Sequence, residues 1–274
     1  MKRWTSLSPN NEDKRWELLS RYLRELGVEN EFEPFKANDD ALENLSPLDH
    51  LHYVRISSRF GPQVLKLIPV QSSWITTLGV IDGILKRDGK WWPMCALFES
   101  FGSVIFELGQ DLDMRGSILV AGAGGTARIA IAALFKAGFR NFLLTNFNES
   151  EGQKTIDEVR SKFFGLTLQY VPQEKIVLLP GESSVLVNCT PSVEENALLV
   201  ELSYMNFLKR PGFLFDVSRK RTPSILVQEA KDAGVKVISG AELAARTDQL
   251  WAKWAFGVDI PLDKYLQDFE SILD

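Results

Sequence analysis

Residues 117–138, SILVAGAGGTARIAIAALFKAG, decide the fold. Ser117 to Ala121 reads as a strand with almost no polar face, as a strand covered on both sides must be. Gly122-Ala123-Gly124-Gly125-Thr126-Ala127 follows and fits G-x-G-x-x-A, the dinucleotide fingerprint. Each small residue has its own reason. Gly122 permits the tight turn, Gly124 lets a pyrophosphate approach the main chain, and Ala127 lets the next helix pack on the strand. That helix presents free N–H groups and the positive end of its dipole at the turn. The alternative reading is a tight turn that holds nothing.

Working outward, further strands are expected at 141–145, 166–171, 184–189, 213–218 and 235–239. Helical patterns lie at 126–138, 150–163, 198–209 and 223–233. Strands alternating with helices mean βαβ units and a parallel sheet. The first half is less regular. Trp16, Leu19, Tyr22, Leu23 and Leu26 recur at three and four residues, which predicts an amphipathic helix over 10–27, with Ser8 as N-cap and Pro9 at its first position. Residues 31–36, 52–57 and 63–70 read as strands, and Asn38 or Asp39 as the cap of a short helix through Leu45. Asp88-Gly89 marks a hairpin turn, 98–108 a helix, and 242–273 helical structure again. The fold class is α/β, a Rossmann-like parallel-sheet nucleotide-binding domain plus a smaller α/β N-terminal domain. The expected limits are 1–107 for the substrate-type domain, to which the helices of 244–274 return, and 108–243 for the dinucleotide-binding domain.

Composition excludes several other jobs. The 274 residues carry a net charge of −5, which argues against non-specific nucleic-acid binding. No apolar run approaches the ~20 residues of a membrane span, and the first residues lack the apolar core of a secretory signal. A cytoplasmic protein with reduced thiols is expected. Two cysteines, Cys95 and Cys189, make no disulfide scaffold, and His50 and His52 without a nearby cysteine make no zinc site.

The strand at 141–145 ends in Thr145-Asn146-Phe147-Asn148. An NAD site places an Asp or Glu there for the ribose hydroxyls, and an NADP site places an Arg or Lys for the 2′-phosphate. Asn146 is neither. Phe147 covers an adenine face or is simply an exposed or core aromatic, and the acids Glu149 and Glu151 disfavour a 2′-phosphate. The choice between NADP and NAD stays open on the sequence.

The ensemble of GAGGTAR, the TNFN turn, Val187-Asn188-Cys189-Thr190-Pro191, Phe215-Asp216, Thr222-Pro223 and Gly240 through Trp254 resembles the shikimate/quinate dehydrogenase family over about 117–257. More faintly, Ser6-Leu7-Ser8-Pro9 is similar to the family's S-x-S-P, which holds the substrate carboxylate. The resemblance implies an NAD(P)-dependent oxidoreductase, with the cofactor held at Gly122, Gly124, Gly125, Thr126, Ala127, Asn146, Asn188 and Thr190. It implies a carboxylate or hydroxy-acid ligand near Ser6 and Ser8. The departures are chemical. The family's first strand is nearly absent, with only Met1 to Thr5 ahead of the S-x-S-P. Gln71 stands where the catalytic Lys belongs, and a Gln can hydrogen-bond but not titrate. Lys66 is a displaced ammonium or a surface lysine on the outer face of its strand. Glu99 replaces the catalytic Asp or is a solvated acid at a helix start. Val80-Ile81-Asp82-Gly83 stands for the family's A-V-N-T. The family's NADP-reading Arg becomes Phe147. Its substrate Tyr becomes Arg219, within Arg219-Lys220-Arg221, where a carboxylate or phosphate could bind if the loop is more than a solvated basic turn. Its substrate Gln becomes Thr247, with Gln249 two residues on. Two functions follow: a shikimate dehydrogenase-like oxidoreductase with an altered substrate, or a non-catalytic nucleotide- or partner-binding relative. In a third reading the second domain binds no nucleotide and serves as a docking or homodimer surface.

Overall fold

The computed structural model describes residues 1–8, 13–36, 43–57, 59–69, 72–190 and 196–273. The chain forms two compact units, Met1–Ser100 with Ala244–Ile272, and Phe101–Leu243.

The first unit is built on a six-stranded mixed sheet. Strand β1 (Lys2–Ser8) is followed by helix α1 (Asp13–Glu25), β2 (Asn30–Phe32), β3 (Phe35–Lys36) and β4 (Tyr53–Ile56). Helices α2 (Gly61–Lys66) and α3 (Ser73–Leu78) precede the hairpin β5 (Gly83–Arg87) and β6 (Lys90–Met94), and α4 (Ala96–Leu108) follows. The order is β2-β1-β4-β5-β6, with β3 continuing beside β1. β1 is parallel to β2, β3 and β4, and β5 is antiparallel to β4 and β6. The hairpin turns on Asp88 and Gly89, both at positive φ, as its sequence predicts.

Two expectations for this unit need correction, and a third lies largely outside the described residues. The first strand is not nearly absent: β1 runs from Lys2 through Ser8, so Ser6 and Ser8 are strand residues, and the cap expected at Ser8 depends on residues 9–12, outside the described residues. Pro9 lies outside the described residues. Polar residues hid it: Thr5 and Ser6 are buried in the strand, and the Thr5 hydroxyl donates to the Glu33 carbonyl. The stretch 63–70 is not a strand. Val64, Leu65 and Ile68 are buried at helical spacing, Pro62 sits in the first turn of α2, and Lys66 lies exposed in the last. The short helix expected from Asn38 or Asp39 falls largely outside the described residues, and Ser46–Leu48 form a single 3-10 turn.

The second unit holds β7 (Ser117–Ala121), α5 (Gly125–Ala137), β8 (Asn141–Thr145), α6 (Glu149–Lys162), β9 (Thr167–Tyr170), β10 (Ser183–Asn188), α7 (Ala197–Ser203), β11 (Leu208–Asp216), α8 (Ile225–Asp232) and β12 (Lys236–Ile238). All six strands are parallel, in the order β12-β11-β10-β7-β8-β9. That is the Rossmann order, and the topological switch point lies between β7 and β10. Leu119, Leu186 and Leu214 of three adjacent strands pack with Leu198, Leu202 and Leu226 of α7 and α8. The helix expected at 198–209 stops at Ser203. Met205 turns at positive φ, and Leu208 already pairs with Ser183 as the start of β11.

Helices α9 (Gly240–Phe256) and α10 (Leu262–Ser271) close the chain. From Ala244 onward they belong to the first unit. Trp251 packs on Trp4 at 5.1 Å, Phe256 on Tyr53 at 4.7 Å, and Tyr265 on Tyr22 of α1 at 5.1 Å.

Candidate functional site

The glycine turn leaves β7 at the switch point. Gly122 has φ +106°, and a Cβ there would lie 3.1 Å from the carbonyl carbon and oxygen of Cys189. Only glycine fits on both counts. Its amide donates to the Thr145 carbonyl at 2.8 Å, which ties the turn to the end of β8. The Ala123 carbonyl accepts from the Thr155 hydroxyl of α6 at 2.8 Å. Gly124 is different. It is exposed, its backbone is extended, and nothing lies within 4 Å of a Cβ built on it. No side chain caps α5 at this N-cap. Ala127 is fully buried, so the helix packs closely on the sheet. The helix start at Gly124 thus has no side-chain cap and opens onto free space, where an anion is favoured.

Because the sheet is parallel, the carboxyl ends of β7, β8, β10 and β11 share one edge. At the end of β8, Asn146 Nδ2 donates to the Asn148 carbonyl at 2.8 Å, and Phe147 is 83% exposed. Asn148 caps α6 by accepting from the Glu151 amide at 3.2 Å. At the end of β10, Asn188 is fully buried and engaged through both of its amide atoms. Its Nδ2 donates to Asp216 Oδ1 at 3.0 Å, and its Oδ1 accepts from the Thr190 amide at 3.1 Å and hydroxyl at 2.7 Å. Asn188 therefore braces the ends of β10 and β11, and Thr190 is held beside it. Burial raises the Asp216 carboxyl above its usual range, against the pull of the Ser218 amide and Asn188. Burial, with Asp216 nearby, likewise keeps Cys189 a thiol. Arg219 follows three residues beyond β11, half-buried at the same sheet edge.

The first unit holds a second polar cluster. Ser6 of β1 is in register with Arg55 of β4, so both project from one face of the sheet. Arg55 Nη2 donates to Asp248 of α9 at 3.4 Å, and its Nη1 lies 3.7 Å from Asp82. Asp248 also accepts from Arg15 Nε and Nη2, at 2.9 and 2.7 Å, and from the Tyr265 hydroxyl at 3.0 Å. Asp82 caps α4, accepting from the amides of Ala96 at 2.8 Å and Leu97 at 2.6 Å. Burial raises its carboxyl, partly offset by Arg55. Arg55 Nε and Nη1 and the indole N–H of Trp251 have no hydrogen-bond partner among the described residues.

The remaining candidates are dispersed. Lys66 is exposed at the end of α2, and Glu99 is exposed in the first turn of α4. Gln71 lies outside the described residues. Gln249 Nε2 donates to the Ile260 carbonyl at 2.6 Å, fastening the chain between α9 and α10. Thr247 donates to the Ser100 hydroxyl at 3.1 Å. Sequence reasoning missed Arg15, Arg55 and Asp248. One signal was present: an arginine inside the buried run of β4 demands a buried acid elsewhere.

No family model matches the chain. Among curated proteins it is similar to shikimate dehydrogenase (NADP(+)) of Dictyoglomus turgidum, with 28% identity over 201 residues, covering 72% of this chain and 69% of the relative. The shikimate dehydrogenase (NADP(+)) of Pyrobaculum islandicum is also 28% identical, over 198 residues, 69% of this chain and 67% of the relative. Among solved structures, shikimate 5-dehydrogenase from Thermus thermophilus, in complex with NADP(H) and shikimate, superposes with a TM-score of 0.80 at 21% identity over 100% of both chains. Quinate dehydrogenase from Corynebacterium glutamicum, in complex with NAD, gives a TM-score of 0.82 at 15% identity over 98% of each.

Proposed function

We propose that this chain, similar in sequence to shikimate dehydrogenases and in fold to quinate dehydrogenase, is an NAD(P)-binding oxidoreductase acting on a hydroxy acid other than shikimate. The open space at Gly124, beside an uncapped helix start, carries the proposal. A pyrophosphate fits where a Cβ is missing, on the amides of Gly124, Gly125 and Thr126. Asn146 faces the ribose, and Asn188 positions Thr190 at the neighbouring strand end. Bound there, a nicotinamide supplies the acceptor or donor of hydride. The chain's own part is to bind the diphosphate, hold the substrate and manage its hydroxyl proton.

The substrate side supports the altered specificity. Ser6 and Ser8 are the carboxylate ligands in this reading, and Arg55 in register with Ser6 adds a cation with unused donors. A ligand with a further acceptor group suits that arrangement better than a simple triol acid. Arg219 is a separate anion ligand in the second unit, and Gln71 and Gln249 complete the set carried over from the resemblance.

A second reading, a non-catalytic nucleotide-binding relative, is favoured by the proton-handling candidates. Lys66 and Glu99 are exposed on different helices, and the buried acid Asp82 is already engaged as a helix cap. Titrating the protein with NADH and NADPH, then following nicotinamide absorbance with shikimate, quinate and related acids, separates the two. Nucleotide binding with turnover of another acid supports the enzyme, binding without turnover of any supports the second reading, and no binding removes both.

A further inference from the structure

The carboxyl end of the second strand is where a dinucleotide fold reads the far ribose of its cofactor. In this chain that end is fastened to the glycine turn by the Gly122 amide on the Thr145 carbonyl. The chain then passes through Asn146, Phe147 and Asn148 into α6, whose first turn carries Glu149 and Glu151. A 2′-phosphate needs cations here, and an arginine fork matches it best. The residues present offer the opposite. Phe147 is an uncharged, exposed aromatic. Both glutamates are exposed next to it. The Tyr170 hydroxyl, which donates to the Asn146 carbonyl at 2.9 Å, is pushed up by burial and then by the charge of Glu149.

The donors at this corner are also in use. The Glu151 amide serves the Asn148 side chain, and Asn146 Nδ2 serves the Asn148 carbonyl. The cation of α5 closest in sequence to the turn, Arg128, pairs with Glu158 at 2.9 Å. The first cation of α6 is Lys154, about 9 Å along the helix axis from the cap at 1.5 Å per residue. What remains is acceptor-rich: the Asn146 Oδ1 and two carboxylates accept hydrogen bonds from a ribose hydroxyl, and the carboxylates repel a phosphate dianion.

We propose that this nucleotide site selects NAD(H), with a free 2′-hydroxyl, over the 2′-phosphorylated NADP(H), and that Phe147, Glu149 and Glu151 set the preference. The proposal rests on the dinucleotide-binding reading above and deepens it. It also separates this chain from the curated relatives, whose names specify NADP(+).

The test is the pair of dissociation constants for NADH and NADPH on the full chain, by nucleotide fluorescence, at low and high salt. NADH should bind at least tenfold tighter, with the gap narrowing as salt screens the glutamates. The variant Phe147→Arg with Glu149→Gln should move the ratio at least tenfold toward NADPH, and Glu149→Gln alone should move it part of the way. NADPH binding as well as or better than NADH overturns the selectivity while leaving the dinucleotide reading intact. Failure of both nucleotides to bind a folded chain overturns both. The expected ratio with neither variant shifting it overturns the assignment to these residues.

Discussion

Replacing Asp248 with leucine removes the one carboxylate that two guanidinium groups and a phenol share inside the first unit. Asp248 is fully buried. Its contacts with Arg15 at 2.7 and 2.9 Å and with Tyr265 at 3.0 Å are well formed, and Arg55 at 3.4 Å is a longer fourth. Taking one partner from a buried ion pair costs about 3–5 kcal/mol, chiefly because the other charge is left behind. Arg15 is 11% exposed and recovers some water, while Arg55, at 6%, keeps Asp82 at 3.7 Å as its one acidic partner among the described residues. The whole loss of about 3–5 kcal/mol is therefore expected, a large part of the ~5–15 kcal/mol that holds a typical fold. Urea unfolding followed by tryptophan fluorescence is the suitable assay. All seven tryptophans, from Trp4 to Trp254, lie in the first unit, so the signal reports that unit alone. Adding Arg55→Met to Asp248→Leu should restore about 1–3 kcal/mol by removing the orphaned charge. A loss below about 1 kcal/mol, the range of exposed pairs, would show that these charges reach water and would refute the argument.

Gly122→Ala should abolish binding of either nucleotide and lower stability, since both its φ and its 3.1 Å approach to Cys189 forbid a Cβ; retained binding, measured by calorimetry, would contradict this. Gly124→Leu makes the converse case. The chain should fold with unchanged circular dichroism, because nothing lies within 4 Å of the new Cβ, yet bind nucleotide at least tenfold more weakly. Asp216→Asn keeps the acceptor that Asn188 and Ser218 use and removes the buried charge. The carboxyl's pKa is raised on folding from 3.8, so the wild type gains stability as pH falls from above its raised folded value toward 3.8 and loses it as pH rises. The variant should therefore be at least as stable as wild type at neutral pH, with that advantage shrinking on acidification; a difference in urea midpoints that ignores pH would refute it. Arg219→Ala should weaken a carboxylate ligand by about 1–3 kcal/mol, the range for a charged hydrogen bond, and an unchanged dissociation constant would remove Arg219 from the site.

What the sequence made legible follows from the range over which each interaction acts. The β7 turn and α5 were legible because every constraint on them is local: an apolar strand, a glycine at positive φ, and a small residue where helix meets sheet. Strand β1 was obscured because its polar residues look like loop chemistry, whereas Thr5 and Ser6 are buried in the strand and Thr5 donates to a neighbouring carbonyl. Helix α2 was obscured because six residues carry too few turns to distinguish a helical period from an alternating one. Asn188 illustrates a subtler limit. Its position at a strand end was legible, but its role was not, since that depends on Asp216, 28 residues away, already holding its amide. Arg55 and Asp248 lie 193 residues apart, and no window along the chain joins them. The distance matters for function. The glycine turn is specified locally, so its geometry supports the proposed nucleotide binding and says little about turnover. On the proposed reading, substrate contacts depend on pairs distant in the sequence such as Ser6 with Arg55, and Arg55 there faces the carboxylates of Asp82 and Asp248. On that reading a substrate at Ser6 replaces part of the Arg55–Asp82–Asp248 pairing with its own acceptors, and that requirement, more than the fold, selects among the acids to be tried.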